Sequence, residues 1–294
     1  MTEQLKSVVR DLLPVSIYGP LRARRVHRLV SRFQPRTVEH NYAGYRLRVR
    51  LEDPLAEGWY DRDWPEPAEI TALRKGRLQR GARVLDVGAH QAVLALILAR
   101  IVGSEGTVVA VEAEPHNARV AQHNVRENDA LNVCVLEAAV GASPGRLSFT
   151  ESLNGSIAPR GRPGAIEVDA LTVDALADMH GRPDVVLIDV EGYEAHVLAG
   201  AVATIRAGAT DFLIELHSSD LLRGAGSTAD EVLARFQGGP FEIAIALADD
   251  TVPGVDSSQL LSSWHPVSAN LHKTGRRCFL VARATAPDRP SPAP

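Results

Sequence analysis

Acidic side chains and one histidine stand where three apolar runs of this sequence end, in positions where they could bind a cation or move a proton. They are Asp86 with Gly88 after VL, Asp189 with Glu191 after VVLI, and Glu215 with His217 at the end of FLIELH. A carboxylate can accept a proton from a hydroxyl group, and histidine, with an ordinary pKa of about 6.5, is a usual general base. If the three runs end side by side, the sequence predicts base-assisted chemistry with His217 as the best single base.

The same side chains could also serve a divalent metal ion. Carboxylate oxygens and imidazole nitrogens are metal ligands, and a bound metal would acidify an acceptor hydroxyl. No ligand spacing in the three runs demands a metal, so metal assistance is the less favoured alternative.

The elements that must position these residues alternate between strand and helix from Arg83 onward. The runs RVLDV, TVVAVE, NVCVLEAAV, DVVLIDV and DFLIELH have no polar face, and helical segments separate them. Such strands belong to a parallel sheet that helices cover on both sides. The last two strands, FEIAIAL and RRCFLVARA, have no helix between them and predict an antiparallel edge pair. We therefore predict an α/β, doubly wound fold whose ligand lies at the carboxyl ends of the strands.

Local signals mark an insertion and two helix starts. RLSFT and AIEVDA predict a pair of strands after the third buried strand. Thr172 can cap the helix VDALADM, and Ser227 or Thr228 can begin the helix STADEVLARF. The segment EGYEAHVLAGAVATI predicts one continuous helix.

The chain divides into three regions by composition. Residues 1–80 predict a helical arm and a lead-in strand, YRLRVRL, with an arginine face; residues 81–285 predict the main domain; residues 286–294 predict a disordered tail. The arm carries arginines at helical spacing with apolar residues, namely Arg22, Arg24, Arg25, Arg28, Arg32 and Arg36. Such a helix could pack on its own domain, cap the acceptor site or support a homo-oligomer.

Composition excludes several classes of protein. Hydrophobic residues make up 45% of the 294 residues and the net charge is −4, which argues against disorder and against nucleic-acid binding. Cys134 and Cys278 lie in apolar runs and are expected to be buried free thiols. The charged start MTEQLKSVVRDLL is unlike a signal peptide, and no uncharged run is long enough to span a membrane, so we expect a cytoplasmic protein.

The turn after the first buried strand indicates the ligand. Dinucleotide sites need G-x-G-x-x-G, because the pyrophosphate approaches the backbone closely, whereas this turn reads GAHQAV and keeps only Gly88. Asp86 would also repel a pyrophosphate. S-adenosylmethionine has no phosphates and carries a sulfonium and an ammonium group, which a carboxylate favours. Glu112, at the end of the next strand, can accept the ribose hydroxyl hydrogens of either ligand.

Four segments together resemble the FkbM family of S-adenosylmethionine-dependent methyltransferases. They are VLDVGAHQA, VVAVEAEPHNARVAQHN, VVLIDVEGYEAHVLAGA and FLIELH, and the likeness runs from about Glu66 to His217. The resemblance implies a class I methyltransferase fold with a seven-stranded, Rossmann-like sheet. It also implies O-methylation of a hydroxyl, often on a sugar or a secondary metabolite.

The resemblance also assigns residues. It implies that the cofactor turn and the ribose and adenine positions are formed by Asp86, Gly88, Ala89, His90, Glu112, Ala113, Ala138 and Ala139, with Asp189, Glu191 and Gly192 beside the reactive methyl. Three positions depart from the family pattern. His90 is found where the family usually has asparagine, Ala92 where it has glycine, and Leu187 where a lysine is common. Ala92 is expected to narrow the pocket.

These inferences combine into one predicted function. We expect an S-adenosylmethionine-dependent O-methyltransferase of natural-product biosynthesis that acts on a small-molecule or glycoside acceptor. His217, Asp189, Glu191 and Glu215 are its candidate catalytic residues. Two alternatives stay open: a nicotinamide-dependent oxidoreductase, and a non-catalytic module that binds S-adenosylmethionine.

Overall fold

The computed structural model of the chain describes residues 28, 30–150, 153, 155–157, 165–248 and 264–285. Half of the predicted arginine-rich stretch 21–36, namely residues 21–27 and 29, and the whole predicted tail, 286–294, lie outside these residues. Fourteen strands are described: β1 Arg36–Tyr42, β2 Tyr45–Leu51, β3 Arg83–Val87, β4 Thr107–Glu112, β5 Val133–Glu137, β6 Ala139–Val140, β7 Gly145–Thr150, β8 Ser156–Ile157, β9 Ala165–Leu171, β10 Val185–Ile188, β11 Asp211–Leu216, β12 Phe241–Leu247, β13 His265–Pro266 and β14 Cys278–Ala284.

The helices connect these strands and cover the sheet. The described α-helices are Pro54–Tyr60, Ala68–Arg74, Val93–Val102, Pro115–Glu127, Val173–His180, Glu194–Ala199, Val202–Ala207, Ser219–Gly224 and Ala229–Ala234, and two 3-10 turns span Val267–Ala269 and Leu271–Thr274. Among the described residues, no helix is long and apolar enough to cross a membrane.

The central sheet has the order β13-β12-β14-β11-β10-β3-β4-β5. The five strands from β11 to β5 run parallel, and β14 pairs antiparallel with both β11 and β12. The predicted doubly wound sheet with an antiparallel pair towards one edge is confirmed. The count of seven omitted β13, a two-residue strand that pairs with Ala244 and Ile245 of β12. The parallel order brings the carboxyl ends of β3, β4, β10 and β11 to one edge.

Two hydrophobic clusters pack on opposite faces of this sheet. One contains the helix Val93–Val102 together with buried side chains of the β1–β2 hairpin and of the helix Ala68–Arg74. The other contains the helices Val173–His180, Glu194–Ala199 and Ala229–Ala234. Residues 36–74 therefore share the core of the main sheet, while the boundary placed at residue 80 stays a prediction.

The lead-in strand forms as predicted, with alternating exposure along Tyr45–Leu51. Its hairpin partner β1 was missed, and it begins at Arg36, the last arginine of the predicted helix. Arg36 pairs with Glu57 and Asp61 at 2.7 and 2.6 Å. Because these carboxylates lie more than twenty residues away in the chain, the helical spacing could not show that the arginine belongs to a strand.

The insertion forms a small sheet of its own, with the order β6-β9-β7-β8. The predicted pairing of RLSFT with AIEVDA is confirmed by the antiparallel contact between β7 and β9. The run NVCVLEAAV is not one strand, because β5 ends at Glu137 and β6 crosses to the small sheet. Thr172 and Thr228 cap their helices as predicted.

Two further predictions are wrong for reasons of packing. The single helix expected over EGYEAHVLAGAVATI is broken at Gly200, whose backbone lies so close to the carbonyl of Gly141 that a Cβ would overlap it. Cys278 is buried, but Cys134 is exposed, and both are free thiols. Cys134 lies on β5 at the edge of the sheet, where one side of an apolar run meets solvent.

Candidate cofactor and acceptor site

A cavity of about 520 Å³ opens at the carboxyl ends of β3, β4, β10 and β11. Its walls include every residue predicted to bind the cofactor: Asp86, Gly88, Ala89, His90, Glu112, Ala113, Ala138, Ala139 and Asp189. Glu191 and Glu215 of the predicted catalytic set also line it, and His217 lies directly behind them. The structure therefore brings together residues that are up to 131 positions apart, from Asp86 to His217, although their roles remain predictions.

Gly88 makes the turn after β3, with a positive φ of 88°. A Cβ at this position would overlap the carbonyl oxygen of Asp189. The backbone N–H groups of Gly88 and Ala89 donate to the carbonyl of Val111 on the neighbouring strand. The missing side chain thus allows the end of β10 to lie against the turn, which places Asp189 beside the residues predicted to hold the cofactor.

Asp86 places a buried carboxyl group next to this turn. Only 4% of the residue is exposed, and its Oδ2 has no hydrogen-bond partner among the described residues. Burial raises the pKa of Asp86 to about 7. A buried carboxylate oxygen without a partner is costly, so this wall of the cavity favours a cationic ligand.

Glu112 ends β4 with both carboxylate oxygens oriented by the backbone. Its Oε2 accepts a hydrogen bond from the N–H of His90 and its Oε1 from the N–H of Glu114, each at 2.8 Å. Burial raises the pKa of Glu112 to about 8, against the effect of those two bonds. Each oxygen retains a second acceptor position, so a carboxylate held in this way can still receive hydroxyl hydrogens.

His90 and Ala92, which replace the asparagine and glycine of the family pattern, shape the turn through their backbone conformation. His90 and Ala92 adopt left-handed conformations, with φ of 48° and 63°. Ala92 is fully buried at the start of the helix Val93–Val102 and does not line the cavity, so the expected narrowing of the pocket is wrong. His90 lines the cavity, and burial lowers its pKa to about 4, so its ring is neutral near pH 7.

Aromatic side chains from the segment before the first central strand form another wall. The hydroxyl of Tyr60 lies 2.8 Å from Nδ1 of His90, and the ring of Trp59 is centred 5.0 Å from the His90 ring. Trp64 also lines the cavity. These residues were not predicted; their only signal in the sequence is the aromatic density of GWYDRDW, which no periodic pattern links to the turn.

His217 is surrounded by four carboxylates. Its Nδ1 lies 2.6 Å from Oε1 of the fully buried Glu194, and its Nε2 lies 3.5, 3.7 and 3.8 Å from oxygens of Glu191, Asp189 and Glu215. Burial opposes protonation, but hydrogen bonds to Glu191 and Glu194 and the charge of Asp189 together raise the pKa of His217 to about 11. The imidazole therefore carries two protons near pH 7, which disfavours it as a proton acceptor, and the role of His217 as the best single base stays a prediction.

Asp189 has the carboxylate best placed to receive a proton. Its side chain is half exposed (53%) and lines the cavity, and desolvation together with the charge of Glu215 raises the pKa of Asp189 well above its usual range. Glu215 itself is paired with Arg277 at 2.5 Å. A carboxylate of raised pKa is a stronger base than an ordinary one once it is ionised.

The same cluster has the composition of a metal site. Ligand atoms of Asp189, Glu215 and His217 lie within 4.8 Å of one another. A proton on His217 and the guanidinium of Arg277 already balance part of its negative charge. Metal assistance therefore stays the less favoured alternative.

Leu187, which stands where the family pattern has a lysine, is a buried residue of β10 and lines the cavity.

Other residues that line the cavity are apolar. Phe149 and Ile157 come from the small sheet, and Phe279 comes from β14. Two arginines also line the cavity, Arg62 and Arg277.

Comparisons of the sequence with known proteins find methyltransferases. A sequence profile described as "Methyltransferase FkbM domain" matches residues 86–239. A curated protein of Sulfolobus acidocaldarius, described as a "Probable cobalt-precorrin-6B C(15)-methyltransferase (decarboxylating)", is 36% identical over 72 residues. That match covers 24% of this chain and 38% of the relative.

Among solved structures, a methyltransferase FkbM from Methylobacillus flagellatus KT is similar with 17% identity and a TM-score of 0.44, over 68% of this chain and 43% of the other. Aeropyrum pernix fibrillarin in complex with S-adenosyl-L-methionine is similar with 15% identity and a TM-score of 0.42, over 86% of each chain. This chain thus spans less than half of the curated relative and of the first of these two structures.

Proposed function

Because the chain belongs to the FkbM family of S-adenosylmethionine-dependent methyltransferases, we propose that it transfers a methyl group to a hydroxyl of a sugar or secondary metabolite. The observation that carries the hydroxyl as acceptor is Asp189, a cavity carboxylate of raised pKa that lies against the cofactor turn. Cytoplasmic location, a role in natural-product biosynthesis and a homo-oligomer through the N-terminal arm remain predictions.

The cavity fits S-adenosylmethionine on the cofactor side. Asp86, whose buried Oδ2 has no hydrogen-bond partner among the residues that the structure describes, would balance a positive charge, and Glu112 would accept ribose hydroxyls. Ala138 and Ala139 offer a flat apolar wall for the adenine. The bound cofactor supplies an electrophilic methyl group.

Asp189 accepts the hydroxyl proton of the acceptor in the proposed reaction. The protonated His217 pairs with the carboxylate of Glu191, and Arg277 pairs with that of Glu215. These positive charges offset the repulsion between the neighbouring carboxylates. A positioned base contributes about 10²- to 10⁴-fold to such a reaction, and orientation of the acceptor in the cavity contributes further.

The aromatic lining of the cavity favours an acceptor that contains a ring. Trp59, Trp64, Phe149 and Phe279 line the cavity. Aromatic walls with a few polar groups are typical of small-molecule sites, where the apolar area supplies affinity and the polar groups fix orientation.

Neither of the two alternative functions, a nicotinamide-dependent oxidoreductase or a non-catalytic module that binds S-adenosylmethionine, is favoured. A nicotinamide dinucleotide would bring its pyrophosphate towards the buried carboxylate of Asp86, which would repel it. A non-catalytic module would not need the carboxylates and the histidine that converge beside Gly88.

Calorimetry with S-adenosylhomocysteine and NADH, run side by side, tests the cofactor. We expect heat of binding with S-adenosylhomocysteine alone; binding of NADH alone would overturn the proposal.

Transfer of a radiolabelled methyl group to a panel of glycosides and polyketides then tests the acceptor, and NMR of the product distinguishes a methoxy group from a C-methyl group. Asp189→Asn should abolish transfer but retain binding, while Asp220→Asn, an exposed carboxylate on the helix Ser219–Gly224, serves as the control.

A further inference from the structure

The segment from Asp53 to Tyr60 contacts two consecutive residues of the cofactor turn, His90 and Gln91. It lies outside residues 86–239, which the family profile matches. We propose that Tyr60 is a positioning residue for the cofactor: through His90 it holds the turn, and with it the carboxylate of Glu112, in the geometry that binds S-adenosylmethionine. This inference rests on the proposed function and assigns a part of the cofactor site to the N-terminal segment.

The first contact is a chain of hydrogen bonds that reaches Glu112. The ring of His90 is neutral, and its Nδ1 lies 2.8 Å from the buried hydroxyl of Tyr60 while its Nε2 lies 3.3 Å from the carbonyl of Leu153. The carbonyl can only accept, so Nε2 carries the proton and Tyr60 donates to Nδ1. The backbone N–H of the same histidine donates to Oε2 of Glu112. Fixing the His90 side chain therefore fixes the donor that orients Glu112.

The second contact anchors the helix Pro54–Tyr60 to the next residue of the turn. Asp53 caps this helix by accepting from two backbone N–H groups, and its Oδ2 accepts from Nε2 of Gln91 at 2.7 Å. His116 lies 3.1 Å from the same oxygen. Asp53 and Gln91 are both fully buried. Tyr60 is thus presented to His90 from a helix whose start is itself tied to the turn.

The conformation of the turn explains why it needs these contacts. His90 and Ala92 both have positive φ, on either side of Gln91, although neither is a glycine. Left-handed backbone at residues with a Cβ is strained and persists only where the surroundings hold it. Without the contact from Tyr60, the turn is free to relax, and the N–H of His90 moves away from Glu112.

Tyr60→Phe tests the pair because it keeps the ring and removes only the hydroxyl. We expect its affinity for S-adenosylhomocysteine, measured by calorimetry, to fall about threefold to tenfold, the value of one buried hydrogen bond. His90→Ala removes the other partner and tests the same pair from the side of the turn, should Tyr60→Phe fail to fold. If the two residues act as a unit, the double variant binds no more weakly than the weaker single variant.

Tyr42→Phe is the matched control. Tyr42 is also buried, and its hydroxyl donates to the backbone carbonyl of Tyr60, not to the turn. We expect Tyr42→Phe to lower the melting temperature by about as much as Tyr60→Phe does, and to leave the affinity for S-adenosylhomocysteine unchanged. Tryptophan fluorescence gives a second readout, because Trp59 packs against His90 and both Trp59 and Trp64 line the cavity: the fluorescence responds to ligand in the wild type and in Tyr42→Phe, and the response changes in Tyr60→Phe.

The outcomes separate this inference from the proposed function. If the wild type does not bind S-adenosylhomocysteine, the proposed function fails. If the wild type binds and Tyr60→Phe binds equally well, or if Tyr42→Phe is weakened as much, or if the Tyr60 and His90 effects add, the positioning role alone is overturned.

Discussion

Replacing Asp86 by asparagine should stabilise the free protein at alkaline pH while weakening its hold on a cationic cofactor. Burial raises the pKa of this carboxyl from 3.8 to about 7. An acid whose pKa is raised by folding makes its full contribution to stability below about pH 4 and loses it as the pH rises through 7, because the folded state binds the extra proton. At about 1.36 kcal/mol per pKa unit, the ionised carboxylate costs about 4 kcal/mol.

The change of the free energy of unfolding with pH is a more specific test than its value at one pH. Between pH 5 and pH 8 the wild type should lose about 2.5 kcal/mol through Asp86, whereas the amide of the variant does not titrate. The difference in free energy of unfolding between variant and wild type should therefore grow by that amount. Glu112, whose pKa is also raised, is present in both proteins, so taking the difference removes most of its contribution.

Urea denaturation of both proteins at several pH values measures this difference, with Asp220→Asn as a control at an exposed carboxylate. Calorimetry at pH 8 then compares binding of S-adenosylmethionine, which Asp86→Asn should weaken. A difference in stability that is flat from pH 5 to pH 8 would refute the reasoning, because it would mean that Asp86 is not a desolvated carboxylate in the folded protein.

Three other substitutions test the same site. Gly88→Ala should abolish binding of S-adenosylhomocysteine in calorimetry, because the added Cβ overlaps the carbonyl of Asp189. Glu215→Gln should move the rising limb of the pH profile of kcat/KM to lower pH, because loss of a neighbouring negative charge lowers the pKa of Asp189; an unmoved limb contradicts Asp189 as the base. Glu194→Gln should lower the pKa of His217 from about 11, and NMR titration of the ring would detect the change.

The fold was predictable wherever local chemistry decides structure. The apolar run VVLI, followed by Asp189, can only be a strand buried on both faces, and the structure buries all four of its apolar residues. Thr172 caps a helix because its hydroxyl meets an N–H three residues on, a contact that sequence spacing already specifies. Gly200 shows the limit: its break depends on Gly141, which no local pattern connects to it.

The site was predictable to the extent that it lies at strand ends. Parallel strands finish at one edge, so the sequence by itself determined that Asp86, Glu112 and Asp189 would share a cavity. It determined their chemical types and, through the single glycine of the turn, the kind of ligand that they suit.

Only the tertiary structure decided how these groups are protonated and what supports them. The state of His217, which follows β11, depends on Glu194 of the helix Glu194–Ala199, and a pKa responds to every charge within a few ångströms wherever it stands in the chain. The contact between Tyr60 and His90 likewise joins residues thirty positions apart. Periodicity reports which face of an element is buried, but it does not report which partner that face meets, and the chemistry of this cavity depends on the partners.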